Sequence, residues 1–256
     1  METLRKYVRY FWTLEDDGAA FSEKTFKIIP DGLPGLIFQE NTKAFFDHKH
    51  KTLPQFFLYG QTTKPSEQVT KEHFRNIGVY FQPTAIKSIF GIDADEITNQ
   101  HIDINDLINT DIDDRLSNSL NSYERIQLIS AFLVKQLTDR AVNVEKMNLA
   151  TTLLQKGSTV ADLQGELNLS ERGLERNFKQ YIGLSPKLYT RINRFQNALK
   201  AMRERQCDKL TAIAYQNGYS DQSHFIREFK EFTGASPRNF LPYTNEQVAN
   251  FPEWKK

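Results

Sequence analysis

LTAIAYQNGYSDQSHFIREFKEFTGASP, residues 210–237, decides the fold of the C-terminal third. Leu210, Ile213 and Ala214 fall on one face of a helix. Gly218 follows where the chain must leave that helix through the left-handed region, which glycine enters without steric penalty. Ser220 is then placed to cap the next helix, with Asp221 favourable beside its positive end. Phe225 and Phe229, four apart, face inward. The pattern is helix, tight turn, helix. On the exposed arc of the second helix stand Gln222, Ser223, His224 and Arg227, where solubility alone would call for Glu and Lys.

The pattern occurs twice. VADLQGELNLSERGLERNFKQYIGLSP, residues 160–186, has the same grammar, and FKQYIGLSP aligns with FKEFTGASP 51 residues later. Val160 and Leu163 take the inward positions of the first helix. Asn168 replaces Gly, as the next best residue for a left-handed position. Ser170 caps, Thr159 and Asp162 fit a capping box, and Leu174 and Phe178 pack. The period of about 50 implies a one-residue insertion inside the second helix of the later copy. Each copy closes with Gly-x-Ser-Pro: Gly183 and Gly234 terminate, Ser185 and Ser236 cap, and Pro186 and Pro237 open the next helix. Two such copies are a pair of helix-turn-helix units.

The polar arcs suit a major groove, where Gln matches adenine, Arg matches guanine and Ser serves either. Residues near the start of a recognition helix reach deepest, so Gln222 and Ser223 are the expected base readers. Arg227, one turn later, reaches a base or a phosphate. His224 reads as a phosphate or helix-packing residue. In the first copy Arg172 and Arg176 lie four apart on one face, with Glu175 beside them as an acceptor for cytosine. Between the copies PKLYTRINRFQNALKAMRER, residues 186–205, reads as one helix. It is about 30 Å long at 1.5 Å per residue, against about 34 Å between successive major-groove faces. Its inward stripe is Leu188, Ile192, Phe195 and Leu199. Lys187, Arg191, Arg194, Lys200, Arg203 and Arg205 are then free for phosphates or solvent. Residues 151–243 hold 14 Lys and Arg against 9 Asp and Glu, a net +5 within a chain of net +1. A basic third on a near-neutral chain points to a polyanion partner.

Residues 1 to about 105 have a different character. RYFWTL, FKIIP, GLIFQ, AFFDH, QFFLYG and IGVYFQP are aromatic or β-branched runs separated by turn signals. They predict a β-barrel or sandwich, and PTAIKSIFGI a short helix ending near Gly91. Within 113–139, Leu116, Leu120, Tyr123, Ile126, Leu133 and Leu137 form one apolar stripe, either packed on its own domain or forming a dimer interface. NEQVANFPEWKK reads as a loose tail. The fold class is α+β. Expected divisions are a β-rich sensor or dimerisation domain at 1–112, a helical connector at 113–143, an all-α domain at 144–243 and a tail at 244–256. Cys207 stands alone, and no signal peptide or run of about 18 apolar residues is present, so a cytoplasmic protein is expected.

LNLSERGLERNFKQYIGLSPKLYTRINRFQNAL and AIAYQNGYSDQSHFIREFKEFTGASPRNF closely resemble the DNA-binding domain of AraC/XylS-type transcriptional regulators. The resemblance implies two helix-turn-helix units on one long helix, promoter binding and, most often, activation. The family's base-contacting positions fall on Arg172, Glu175 and Arg176, and on Gln222, Ser223 and Arg227; Lys187 and Arg191 are assigned to DNA as well. Gln164 departs from the family's usual Ala, which Ala214 keeps, so the first unit is expected to pack less tightly. IIPDGLPGLIF, LYGQTTKP and IGVYFQPTAIKSIFGI resemble the β-rich, cupin-like sensor region of some of these regulators. His48, His50, His73 and His101 lack the cupin metal pattern, so no metal or cofactor is assigned. Double-stranded promoter DNA, a small-molecule effector, RNA polymerase and a second copy of the chain are the expected partners, on the bacterial nucleoid and not at a membrane. No catalytic set is recognisable. The rival readings are a DNA-targeted enzyme with a catalytic β domain and a constitutive dimeric DNA binder.

Overall fold

The computed structural model describes residues 2–17, 23–42, 44–137, 144–204, 209–248 and 250–254. Arg205, Cys207 and the last residues, 138–143, of the expected connector lie outside them. The strands are β1 (Val8–Asp16), β2 (Lys24–Ile28), β3 (Gly35–Gln39), β4 (Phe45–Phe46), β5 (Phe56–Tyr59), β6 (Ser66–Thr70), β7 (Phe74–Phe81), β8 (His101–Asp103), β9 (Thr244–Val248) and β10 (Phe251–Trp254). The helices are α1 (Ala85–Phe90), α2 (Ile104–Leu107), α3 (Ile112–Ser117), α4 (Ser122–Gln136), α5 (Val144–Gln155), α6 (Val160–Leu167), α7 (Glu171–Ile182), α8 (Pro186–Arg203), α9 (Leu210–Gln216), α10 (Gln222–Thr233) and α11 (Pro237–Phe240).

Two five-stranded antiparallel sheets, ordered β1-β7-β3-β5-β8 and β4-β6-β2-β10-β9, make the N-terminal domain. Neither closes on itself, so of barrel and sandwich the open two-sheet form is the one present. Trp12 lies across Gly78 on the inner face of β7; a Cβ there would sit 2.0 Å from the indole, so only glycine fits. One face of the first sheet packs α1 and α4 through Phe38, Phe56, Val79, Ile86, Ile129 and Leu133. Its other face, which carries Phe74, meets Phe26, Phe45 and Phe251 of the second sheet.

Two expectations about the flanks are corrected. The stripe at 113–139 is carried by two helices broken at 118–121, not one. Leu116, Ile129 and Leu133 are buried in the β domain, whereas Leu120 is 91% and Tyr123 72% exposed. Asn121 caps α4 through the backbone N–H of Glu124, which fixes the break. Residues 244–248 and 250–254 are not a loose tail. They form the β9–β10 hairpin, and β10 pairs with β2. Phe251 stacks on Phe26 at 4.8 Å, and the Lys27 ammonium lies 3.7 Å over the Trp254 ring. Two aromatic anchors outweigh the polar composition that suggested a tail.

In the C-terminal domain α5–α11 surround α8, whose Tyr189, Ile192, Phe195, Ala198 and Leu199 are buried. Asn168 adopts φ 50°, and Gly183, Gly218 and Gly234 adopt φ 84°, 75° and 73°. Ser170 and Ser185 cap α7 and α8, and Thr159 and Asp162 form the capping box. The second cap differs from expectation. Asp221, not Ser220, accepts from the backbone N–H of His224. The left-handed residues 168 and 218 are 50 apart, whereas the caps 170 and 221 are 51 apart. The inserted residue therefore lies in the turn and not inside the helix. A turn absorbs it without disturbing a helical hydrogen-bond ladder.

The two domains touch at several places, among them α7 and α5. Thr98 Oγ1 donates to the Gly183 carbonyl at 2.8 Å, Gln180 Nε2 to Asp93 at 3.3 Å, and Thr84 Oγ1 to Asn148 on α5 at 2.5 Å. Docking uses the C-terminal half of α7 and leaves its N-terminal half clear.

Candidate nucleic-acid interface

Positions two and six of each second helix are equivalent: Arg172 and Arg176 on α7, Ser223 and Arg227 on α10. All four are exposed, and among the described residues neither Arg172 nor Arg176 nor Arg227 forms a salt bridge. Glu175 is half-buried beside them. Gln222 opens α10, half-buried, its Oε1 accepting from Thr211 Oγ1 at 2.5 Å. That bond fixes the amide so that its NH₂ group stays available as a donor. The His224 ring packs edge-on to Tyr219 with centroids 5.3 Å apart, and its Nδ1 lies 3.1 Å from Ser220 Oγ. It is engaged in packing the turn. Lys187, at the start of α8, is exposed.

Arg191 is placed differently from the free cation the sequence suggests. Its Nε donates to Glu228 at 2.9 Å and its Nη2 to Glu231 at 2.6 Å. Arg194 donates to both oxygens of Glu228 at 2.8–2.9 Å and lies 4.3 Å over the Tyr219 ring. Glu228 is 3% exposed. Burial alone would raise its carboxyl, but hydrogen bonds from Arg194 and Arg191 outweigh it and hold the group below the ordinary glutamate range. This clasp ties α10 to α8, and thereby one recognition helix to the other. The sequence reading missed it. The signal was a carboxylate at 228, on the arc of Phe225, Phe229 and Phe232. Lys187, Arg191, Arg194, His224, Arg227, Glu228 and Glu231 line one groove, and Lys209, Thr211, Gln222 and Arg238 a second beside it. Lys209 and Arg238 join the interface only in three dimensions.

Gln164 is half-buried, whereas Ala214 has no exposed surface. The longer side chain lies at the edge of the α6–α7 contact, in keeping with looser packing there. α8 spans 18 residues, about 27 Å at 1.5 Å per residue, slightly short of one groove repeat.

A cleft of about 870 Å³ opens between the sheets, walled by Trp12, Phe57, Tyr59, Tyr80, Phe251 and Asp31 among others. His48 and His101 line it as well, but among the described residues no three or more His, Cys, Asp and Glu converge as a metal site would require.

Two helix-turn-helix units on a shared central helix, joined to a two-sheet β domain, define the architectural class. The C-terminal part, over residues 163–242, is an AraC-type helix-turn-helix domain. Residues 163–242 match a helix-turn-helix domain family, and residues 1–103 a domain of unknown function (DUF6597). Over 100 residues it is 36% identical to the raffinose operon transcriptional regulatory protein RafR of Pediococcus pentosaceus, covering 37% of this chain and 35% of that one. Over 119 residues it is 33% identical to the HTH-type transcriptional activator RhaS of Escherichia coli, covering 46% and 36%. The chain thus spans between a third and a half of the length of the curated relatives it matches. The solved structure of ToxT from Vibrio cholerae has the same fold, with a TM-score of 0.50 at 15% identity over 91% of this chain and 98% of that one.

Proposed function

We propose that this chain is a sequence-specific DNA-binding transcriptional regulator that acts at promoters, most simply as an activator. The observation that carries the reading is the pair of polar arcs, Arg172/Glu175/Arg176 and Gln222/Ser223/Arg227, on the second helices of two helix-turn-helix units that share α8. A relative named as an activator supports the sign of regulation. The reading assigns base contacts to these six residues and phosphate contacts to Lys187. Arg191 supports the interface through Glu228. The β domain, with its 870 Å³ cleft, senses a small molecule. A second copy docks at the exposed Leu120 and Tyr123, and RNA polymerase is the partner of activation. Such a protein works on the bacterial nucleoid; no helix of the described residues is long and apolar enough to cross a membrane.

The test is a titration of the full chain on duplexes selected from a random pool, at several salt concentrations. Affinity should fall linearly on a log–log plot with a slope of about −0.9 per phosphate contact neutralised. A flat response would exclude the nucleic-acid reading.

A further inference from the structure

The loop at 29–34, IPDGLP, belongs to both domains at once. Ile29 is 1% exposed within the C-terminal core. The Pro30 carbonyl accepts from Gln196 Nε2 on α8 at 2.7 Å, and Gly32, at φ 77°, lies against the Tyr189 ring. Between these anchors the Asp31 side chain faces the cleft, enclosed by protein but with surface open to the cavity. The other wall carboxylates are engaged. Asp47 accepts from the backbone N–H groups of Lys49 and Lys51 at 2.8 and 2.9 Å, and Glu67 pairs with Lys27 at 3.6 Å. Asp31 has only the Leu33 N–H at 2.9 Å and a long contact to Asn250 Nδ2 at 3.4 Å. Among the described residues it forms no salt bridge. A deep carboxylate with no salt bridge, which the exposed Arg9 reaches only through space, is incomplete by itself above an aromatic floor. Lys49, Lys51 and Lys64 at the rim are exposed, so solvent screens them within about 10 Å; the deep group decides the ligand's charge.

Resting on the effector-sensing reading of the β domain, we propose that the cleft binds a small molecule with an apolar, preferably aromatic, body and a protonated amine, that Asp31 is its counter-ion, and that loop 29–34 transmits occupancy to α8. Trp12, Phe57, Tyr59, Tyr80 and Phe251 take the body. The loop then shifts against Gln196 and Tyr189 and biases the helix that spaces the two recognition helices; a ligand does this only as far as it favours one arrangement over the other. Phe251 and Asn250 come from the C-terminal hairpin, so the cavity wall is itself shared between the ends of the chain.

Burial raises the Asp31 carboxyl to about 7, opposed by its bonds from Leu33 and Asn250 and by Arg9. The titratable groups facing it are Arg9 on β1, Tyr59 on β5 and Tyr189 on α8, and both tyrosines are pushed upward. His48 and His101 lie elsewhere on the cleft wall. Between pH 6 and 8 the carboxylate fraction rises about tenfold while an alkylamine stays protonated, so amine affinity should rise by about that factor.

Calorimetry on the full chain with 2-phenylethylamine and tryptamine, against 2-phenylethanol and 3-phenylpropionate, tests this. The amines should bind, tightening about tenfold from pH 6 to 8, and the alcohol and acid should not. Asp31→Asn should melt as cooperatively as wild type but lose at least about tenfold in amine affinity. Saturating amine should change DNA affinity in wild type, and Gln196→Ala should abolish that change while still binding amine. Equal affinity for the alcohol, unchanged amine affinity in Asp31→Asn, or no amine binding overturns the proposal. If the alcohol or the acid binds and shifts DNA affinity, effector sensing stands and the amine assignment falls. If no probe of any charge binds, the assignment falls, and sensing loses the cleft as its site.

Discussion

Glu228 stands three residues after Phe225 and one before Phe229, on an arc that otherwise holds only apolar or aliphatic contacts. A charge there demands a partner, and Arg191 and Arg194 on α8 supply it. Glu228→Ala leaves two partly buried guanidiniums around a void, and breaking such a group by removing one member costs about 3–5 kcal/mol. Urea denaturation of the full chain measures the loss; less than about 1 kcal/mol would reduce the clasp to a surface pair. The pH sign follows from the lowered carboxyl. Its stabilisation is fully present above the ordinary glutamate range near 4.5 and is lost as pH falls through the lower folded value. The gap between wild type and Glu228→Gln should therefore close in acid. At the interface, Gln222→Ala should cost about 1–3 kcal/mol on the preferred duplex and relax one or two positions, whereas Lys187→Ala should weaken all sequences alike. An unchanged selected sequence in Gln222→Ala would move base reading off this face. The six positions proposed to read bases were legible because helical spacing alone places them on the outer arc. The engagement of Arg191 was not, since its partner lies 37 residues away.

At the scale of elements, turn chemistry carried most of what could be read. Asn168, Gly183, Gly218 and Gly234 ended helices where expected, because a left-handed terminus is a local demand with few residues able to meet it. The cap at Asp221 was displaced by one residue because the insertion sits in a turn, and alignment of helix interiors does not show where a turn absorbs length. β6, SEQVT, is polar and went unread; its partners Phe45 and Phe26 supply the hydrophobic side. The stripe at 113–139 was read as one face, but Asn121 starts a new helix and rotates the register. Ile129 and Leu133 turn inward, and Leu120 is left 91% exposed. Leu120→Asp should then leave the fold intact. Light scattering on the full chain should show a dimer for wild type and a monomer of unchanged melting temperature for the variant. A monomeric wild type at micromolar concentration would remove this surface from the assembly, and a variant that unfolds would return Leu120 to the core.

Across the whole molecule the chain closes on itself. The sequence suggested a β half followed by a helical half, because composition changes near residue 144 and nothing local marks a return. Yet β10 inserts between β2 and β9, so that the last residues after the second recognition unit complete a sheet begun at Lys24. Phe251 covers Phe26 and Phe45, and Trp254 touches both Lys27 and Phe240, the latter in the C-terminal core. Such long-range pairing is set by two aromatic residues in an otherwise polar stretch, too few for periodicity to reveal. Ending the chain at Tyr243 would leave β2 as an unpaired edge and uncover Phe26, now 3% exposed. Loss of one buried aromatic anchor costs about 3–5 kcal/mol, and a domain of this size loses roughly 2–4 °C per kcal/mol. The truncated chain should melt several degrees lower, with the loss concentrated in the β domain. Hydrogen exchange on β2 and β6 should rise sharply, while α6–α10 stay protected, since their own core around Phe195 and Phe229 is untouched. Trp254→Ala should give a smaller version of the same pattern. Unchanged melting and unchanged exchange in β2 would mean that the hairpin contributes nothing to the sheet, and uniform loss of protection in α6–α10 would mean that it braces the DNA-binding domain instead.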